Sequence, residues 1–188
     1  GMLKGEIEAE VRRVEKETGR PGRSDGGSIH RLADGTWRIL LNGFSPTLAA
    51  LEADSPAGPW RFVRDEHGAI RELLPDFPDR GIFPYALRVG PGRWRLWITD
   101  DWPPQSIWQY ASEDGLLWKP FGRQPEITRD AVGGRGIKCV RACLDPAGND
   151  VIGLLAVWGL RGDGTCGWLN AVSRMESEPV VQQGPDSP

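Results

Sequence analysis

One segment of this chain is written twice at a nearly fixed spacing, and nothing else in the sequence constrains the fold as much. The first copy runs from Asp34-Gly35-Thr36-Trp37-Arg38-Ile39-Leu40 to Ser55-Pro56-Ala57-Gly58-Pro59-Trp60. The second runs from Pro91-Gly92-Arg93-Trp94-Arg95-Leu96-Trp97 to Ser112-Glu113-Asp114-Gly115-Leu116-Leu117-Trp118. Trp37 and Trp94 stand 57 residues apart, and Trp60 and Trp118 stand 58 apart. Two landmarks recurring at one period mark a repeated supersecondary unit. A third, weaker copy follows. Arg80-Gly81-Ile82 and Arg135-Gly136-Ile137 each open an apolar run, 55 residues apart, and Gly27-Ser28-Ile29 holds the same place in the first copy.

Within a copy the units are short and turn-bounded. The 25 Gly and 16 Pro punctuate the chain every few residues, which suits short strands better than long helices. The Asp34-Gly35 pair between apolar runs is a hairpin signal. Strands are predicted over 29–32, 37–41, 48–53 and 60–63, then over 82–89, 94–99, 107–111 and 118–121, and in the third copy over 137–144, 151–158 and 167–173, without a Trp-bearing fourth strand. The stretch 64–80 reads as a loop rich in charge and Pro. Ahead of the repeats, Leu3, Ile7, Val11 and Val14 are spaced 4, 4 and 3 apart among charged residues, the stripe of a short amphipathic helix ending near Gly19. An alternating strand through Ile7, Ala9 and Val11 is the competing reading.

Units of four short antiparallel strands at this period are blades of a β-propeller. The expected fold is all-β and propeller-like, with about three four-stranded blades behind a short N-terminal helix. It forms one domain over 1–188: helix and loop 1–24, blades 25–65, 79–123 and 130–176, and a flexible tail 177–188. In such blades the loops entering the first strands meet at one mouth of the central channel. Three blades do not close a ring, so open faces and strand edges predict a homo-oligomer.

Composition narrows the function. Net charge is −3 and the basic residues are scattered, so nucleic acid is not an expected partner. No apolar run reaches the roughly 18 residues of a membrane span, and the first residues show no signal-peptide core, which predicts a cytoplasmic location. Cys139, Cys143 and Cys166 form no paired framework, and with only His30 and His67 beside them they make a poor zinc site. They read as buried, reduced thiols. No cofactor is indicated. Nine Trp are enough to wedge the layers apart and still line a binding surface.

At Ser55-Pro56-Ala57-Gly58-Pro59-Trp60 and Ser112-Glu113-Asp114-Gly115-Leu116-Leu117-Trp118 the chain resembles the five-bladed β-propeller glycoside hydrolases of the arabinanase and β-xylosidase type, with the invertases and levansucrases alongside. Their blades end in comparable turns. Those turns are structural, so they speak for fold more than for reaction. The resemblance implies glycosidic bond cleavage by carboxylates at the inner ends of different blades, one protonated and one ionised, with a third tuning the acid. The matching loops carry Asp25 as base or nucleophile and Asp79 as the orienting carboxylate. In the third copy Gly134 is aligned, and Glu126 or Asp130, a few residues upstream, is left as the acid. Arg80 and Arg135 share a register at this mouth, followed by His30, Phe83 and Lys138. The arginines are candidates to grip sugar hydroxyls or a carboxylate, or they pair with neighbouring acids. Trp102, beside Asp100 and Asp101, is a sugar-stacking platform or a wedge on the blade edge.

Three readings follow: a glycosidase acting on an oligosaccharide, a non-catalytic propeller-like carbohydrate-binding or scaffold module, and a subunit whose site another chain completes.

Overall fold

In the computed structural model, helix α1 (Met2–Thr18) precedes three antiparallel sheets. The structure describes residues 2–22, 27–42, 48–77, 82–100, 106–122, 125–132, 136–144, 150–158 and 166–174, of which 2–3, 82, 132, 138, 150–158 and 166–174 are described by their backbone alone. The first sheet is a meander of β1 (Ser28–Arg31), β2 (Trp37–Asn42), β3 (Leu48–Ala53) and β4 (Arg61–Phe62). The second holds β5 (Ile82–Gly90), β6 (Arg93–Thr99), β7 (Ser106–Ser112) and β8 (Lys119–Pro120), with β9 (Ile127–Thr128) paired to β7 beside β8. A short α2 (Arg129–Val132) leads to the third, β10 (Gly136–Leu144), β11 (Asp150–Trp158) and β12 (Cys166–Arg174). The helix and the eleven predicted strands are met to within a residue or two. The additions are β9 and α2, too short to leave a periodic trace in the sequence.

Register makes the repeat exact enough to map position onto position. Trp37 pairs with Ala53 and Trp94 with Ser112, so Arg38 stands for Arg95, Leu40 for Trp97, Asn42 for Thr99, Leu48 for Ile107 and Ala50 for Gln109. The loops after the fourth strands return to the same place. Val63 N–H donates to Ala50 O at 2.9 Å and Leu73 N–H to Leu48 O at 3.0 Å; in the second blade Phe121 N–H donates to Gln109 O at 2.9 Å and Glu126 N–H to Ile107 O at 2.8 Å. Leu73 and Glu126 therefore occupy one structural position.

The sheets stack face to face, and α1 takes the place of a blade at the front of the stack. Its Val11 and Val14, with Ile7 beside them, pack on Ile39, Leu41, Ala49, Leu51 and the fully buried Trp60. Each such apolar side chain withdrawn from water stabilises by about 1.5–3 kcal/mol. Glu10 fastens the helix. It is 2 % exposed, accepts the Phe62 N–H at 3.2 Å, and is gripped by Arg13 at 2.7 Å through both carboxylate oxygens. Burial works against its ionisation, but the Arg13 pair and the Phe62 N–H outweigh it and hold the carboxyl below its usual range. The other face of the first blade packs Leu40, Leu48, Ala50, Leu73 and Leu74 against Ala86, Leu96, Ile98 and Tyr110 of the second. The second blade then packs Val89, Trp97 and Ile107 on Ile137, Val140 and Ala142 of the third.

The turns that carried the resemblance are built for this stacking. Ser112 Oγ accepts from Gly115 N at 2.8 Å, and Asp114 Oδ1 accepts from Leu116 N and Leu117 N at 2.8 Å. Gly115 sits at φ 72°, and a Cβ there would lie 3.2 Å from the Arg38 guanidinium and 3.6 Å from the Trp94 ring. The glycine lets one blade's turn close over its neighbour's arginine. One expectation changes: Cys139 is buried but Cys143 is exposed, on the face of β10 opposite Val140 and Ala142, which pack on the second blade. No described helix is long and apolar enough to cross a membrane.

Candidate functional site

The inner strands β1, β5 and β10 start at one end of the stack. Ser28 Oγ accepts the Ala86 N–H at 2.9 Å, tying β1 to β5, and Tyr85 Oη donates to Ala142 O at 2.8 Å, tying β5 to β10. Both β5 and β10 carry a register shift immediately after they begin, between Ile82 and Tyr85 and between Ile137 and Cys139. Phe83, inside the first of these, has φ 51°, a conformation that costs about 1–3 kcal/mol in a non-glycine residue. Bulges of this kind bend a strand and re-aim its side chains, and they recur beside functional sites. Two at the same level define the mouth.

Of the residues expected there, Asp25, Asp79, Arg80, Trp102 and Arg135 lie outside the described residues. Lys138 falls within the β10 bulge, with its side chain outside the description. Gly27 is described, and its φ of 118° with Leu40 O only 2.5 Å from a would-be Cβ means that only glycine fits. It holds the chain that enters β1 tightly against β2.

His30 is drawn into the seam between the first two blades rather than left open at the mouth. Its ring meets Trp94 edge-on at 4.9 Å, and Nε2 lies 3.0 Å from Ser28 Oγ. Burial is the main cause of a pKa lowered to about 4, reinforced by the Arg38 charge and opposed by a hydrogen bond to the Ala86 backbone. Arg38 itself is 7 % exposed, donating to Glu52 Oε1 through Nε at 2.8 Å and to the Asp114 carbonyl.

The two acid candidates have opposite surroundings. Asp130 on α2 stands in water, its side chain 86 % exposed, beside Arg129 at 3.2 Å. Glu126 is half-buried, against the buried Gln109 of the second blade. With its amide nitrogen turned inward, Gln109 donates to Glu126 Oε1 at 2.8 Å and to Oε2 at 2.5 Å. Burial raises the Glu126 pKa, against the Trp97 indole N–H and the Arg95 charge, which favour the carboxylate. Arg95 also lies 3.5 Å over the Phe121 ring. The Gln109, Trp97 and Arg95 environment of Glu126 escaped the sequence. The usable signal was Gln109, a polar residue in the alternating strand SIWQYAS at a position where the first blade has Ala50.

A cleft of about 620 Å³ opens elsewhere, between the end of α1 and residues 64–72. Its charges are matched within it, Arg64 to Glu17 at 2.8 Å and Arg20 to Glu72 at 3.9 Å, and none of its described lining is aromatic. It has no platform for a sugar ring.

Several solved structures are similar to this chain. An endo-1,4-β-xylanase from Bacteroides thetaiotaomicron superposes with a TM-score of 0.53 at 10% identity, over 83% of this chain and 54% of its own. A β-xylosidase/α-arabinofuranosidase of glycoside hydrolase family 43 from a compost microbial metagenome, in complex with xylotriose, gives 0.47 at 17% identity, over 69% and 41%. A family-43 endo-arabinanase from Bacillus licheniformis gives 0.46 at 11%, over 79% and 57%. The xylanase establishes the likeness of fold that the blade-end turns led us to expect. The chain spans about half the length of these structures. No protein-family model matches it, and no curated protein matches it in sequence.

Proposed function

We propose that this chain is a carbohydrate-active protein of the propeller glycoside hydrolase type, with an oligosaccharide held at the mouth where β1, β5 and β10 begin. The observation that carries this reading is the pair of matched bulges at that mouth, in a fold similar to that of a xylanase. In the hydrolytic form Asp25 acts as base or nucleophile and Asp79 orients it. Glu126 is the better acid of the two candidates, because burial favours the protonated carboxyl that a leaving-group oxygen needs. Arg80, Arg135 and Lys138 bind hydroxyls, and Trp102 stacks on the apolar face of a sugar ring. A screen of aryl-glycosides tests it: Asp25→Asn lowers turnover by about 100-fold or more, and turnover that survives this substitution unchanged overturns the base assignment.

A second reading, a non-catalytic carbohydrate-binding or scaffold module, is favoured by the engagement of Glu126 with Gln109 and by the solvation of Asp130. In that form blades are added by self-association. Helix α1 already covers the front face of the first blade, so association runs through the third-blade end. Saccharide binding without turnover, by a species larger than a monomer in sedimentation, marks this second reading.

A further inference from the structure

Asn42 is the last residue of β2. Its neighbour but one, Leu40, pairs with Ser28, the first residue of β1, so Asn42 extends past the start of the inner strand and into the mouth. Its counterpart Thr99 pairs with Ile82, the first residue of β5, at the same level. Asn42 is only 7 % exposed, and its Oδ1 is sealed from solvent without a hydrogen-bond partner. The other orphaned polar atoms among the described residues are indole nitrogens of Trp60, Trp108 and Trp118, each a small part of an otherwise apolar ring. A carboxamide is polar throughout, and leaving it unmatched costs free energy that the rest of the seam must offset. Thr99, the counterpart, is buried too but has a partner.

We infer that Asn42 is a ligand-binding residue of the mouth, its unmatched carboxamide oxygen held in reserve for vicinal hydroxyls of a saccharide. This rests on the carbohydrate-active reading proposed above. One C=O acceptor beside two N–H donors is complementary to a pair of sugar hydroxyls, each of which both donates and accepts. Gly27 pins the chain entering β1 against the same strand, two residues below Asn42, so the backbone that carries the side chain is held in place. On binding, the carboxamide turns toward the hydroxyls, and the penalty of its orphaned oxygen in the free protein is relieved. A group poised in this way weakens the fold and strengthens the complex.

That trade separates a ligand role from simple packing. The experiment titrates xylo- and arabino-oligosaccharides into the full chain by calorimetry and records thermal unfolding of wild type, Asn42→Leu and Asn42→Ala. Leucine keeps the branched shape with little added bulk and removes the orphan, so Asn42→Leu melts about 2–4 °C higher and binds about tenfold more weakly. Asn42→Ala, which needs no added bulk, shows the same loss of affinity if leucine does not fit the seam. Wild type that binds while both variants bind equally well overturns the inference alone. Wild type that binds none of the oligosaccharides overturns the carbohydrate reading and this inference with it.

Discussion

The two seams of the blade stack are built on one register and filled with opposite chemistry. Between the first and second blades the positions of Leu40, Leu48, Ala50 and Leu73 form a continuous apolar surface. Between the second and third the same positions are Trp97, Ile107, Gln109 and Glu126, and a half-buried carboxyl lies among donors. The roles reverse on the inner side. There the first seam holds His30 against Trp94 and Arg38 against Glu52, while the second has Leu87 in the place of His30. Repetition therefore fixes where the strands lie, and each seam is free to distribute its polar groups. A buried polar group is costly unless its partners come with it.

The comparison breaks hardest if the second seam's acid is moved into the first. Leu73→Glu places a carboxylate opposite Ala50, with no amide to receive it, and costs about 3–5 kcal/mol in urea unfolding; a loss under 1 kcal/mol would mean the seam opens to water there. The pH profile of the first seam gives the next effect. His30 has its folded pKa at about 4, below the ordinary 6.5, so its neutral form stabilises fully above pH 6.5 and that contribution is lost as pH falls toward 4. The loss reaches about 2–3 kcal/mol, and His30→Leu, the second blade's own solution, flattens it. Acid sensitivity that is unchanged in this variant would assign the effect to another group. The smallest effect belongs to the second seam. Gln109→Leu removes the amide from Glu126 and costs about 1–3 kcal/mol. The sign with pH is opposite to that of His30: the raised Glu126 pKa makes stability fall as pH rises from about 4.5 through the folded value. Glu126→Gln should abolish that fall.

Much of the scaffold was legible because its signals are local. Asp34-Gly35 and the Ser-to-Trp turns declare themselves within a few residues, and the apolar stripe of Ile7, Val11 and Val14 specifies a helix face. The candidate site was legible only as a place. Asp25 and Asp79 were proposed from their places before the first strands of the repeat, and no local signal told Glu126, half-buried beside Gln109, from Asp130, standing in water four residues later. The strand pattern of β7 showed Gln109 as an irregularity but not what it touches.

The sequence by itself determined the repeat, the blade strands and the helix, because each depends on periodicity and turn chemistry within a few tens of residues. Only the tertiary structure decided that α1 covers the front face of the first blade, that His30 packs into a seam against Trp94, and that the Asn42 carboxamide oxygen is buried without a partner. Those outcomes depend on which faces meet across the stack. Burial, and with it the protonation and pairing of a side chain, is a property of the two surfaces together and not of either strand alone.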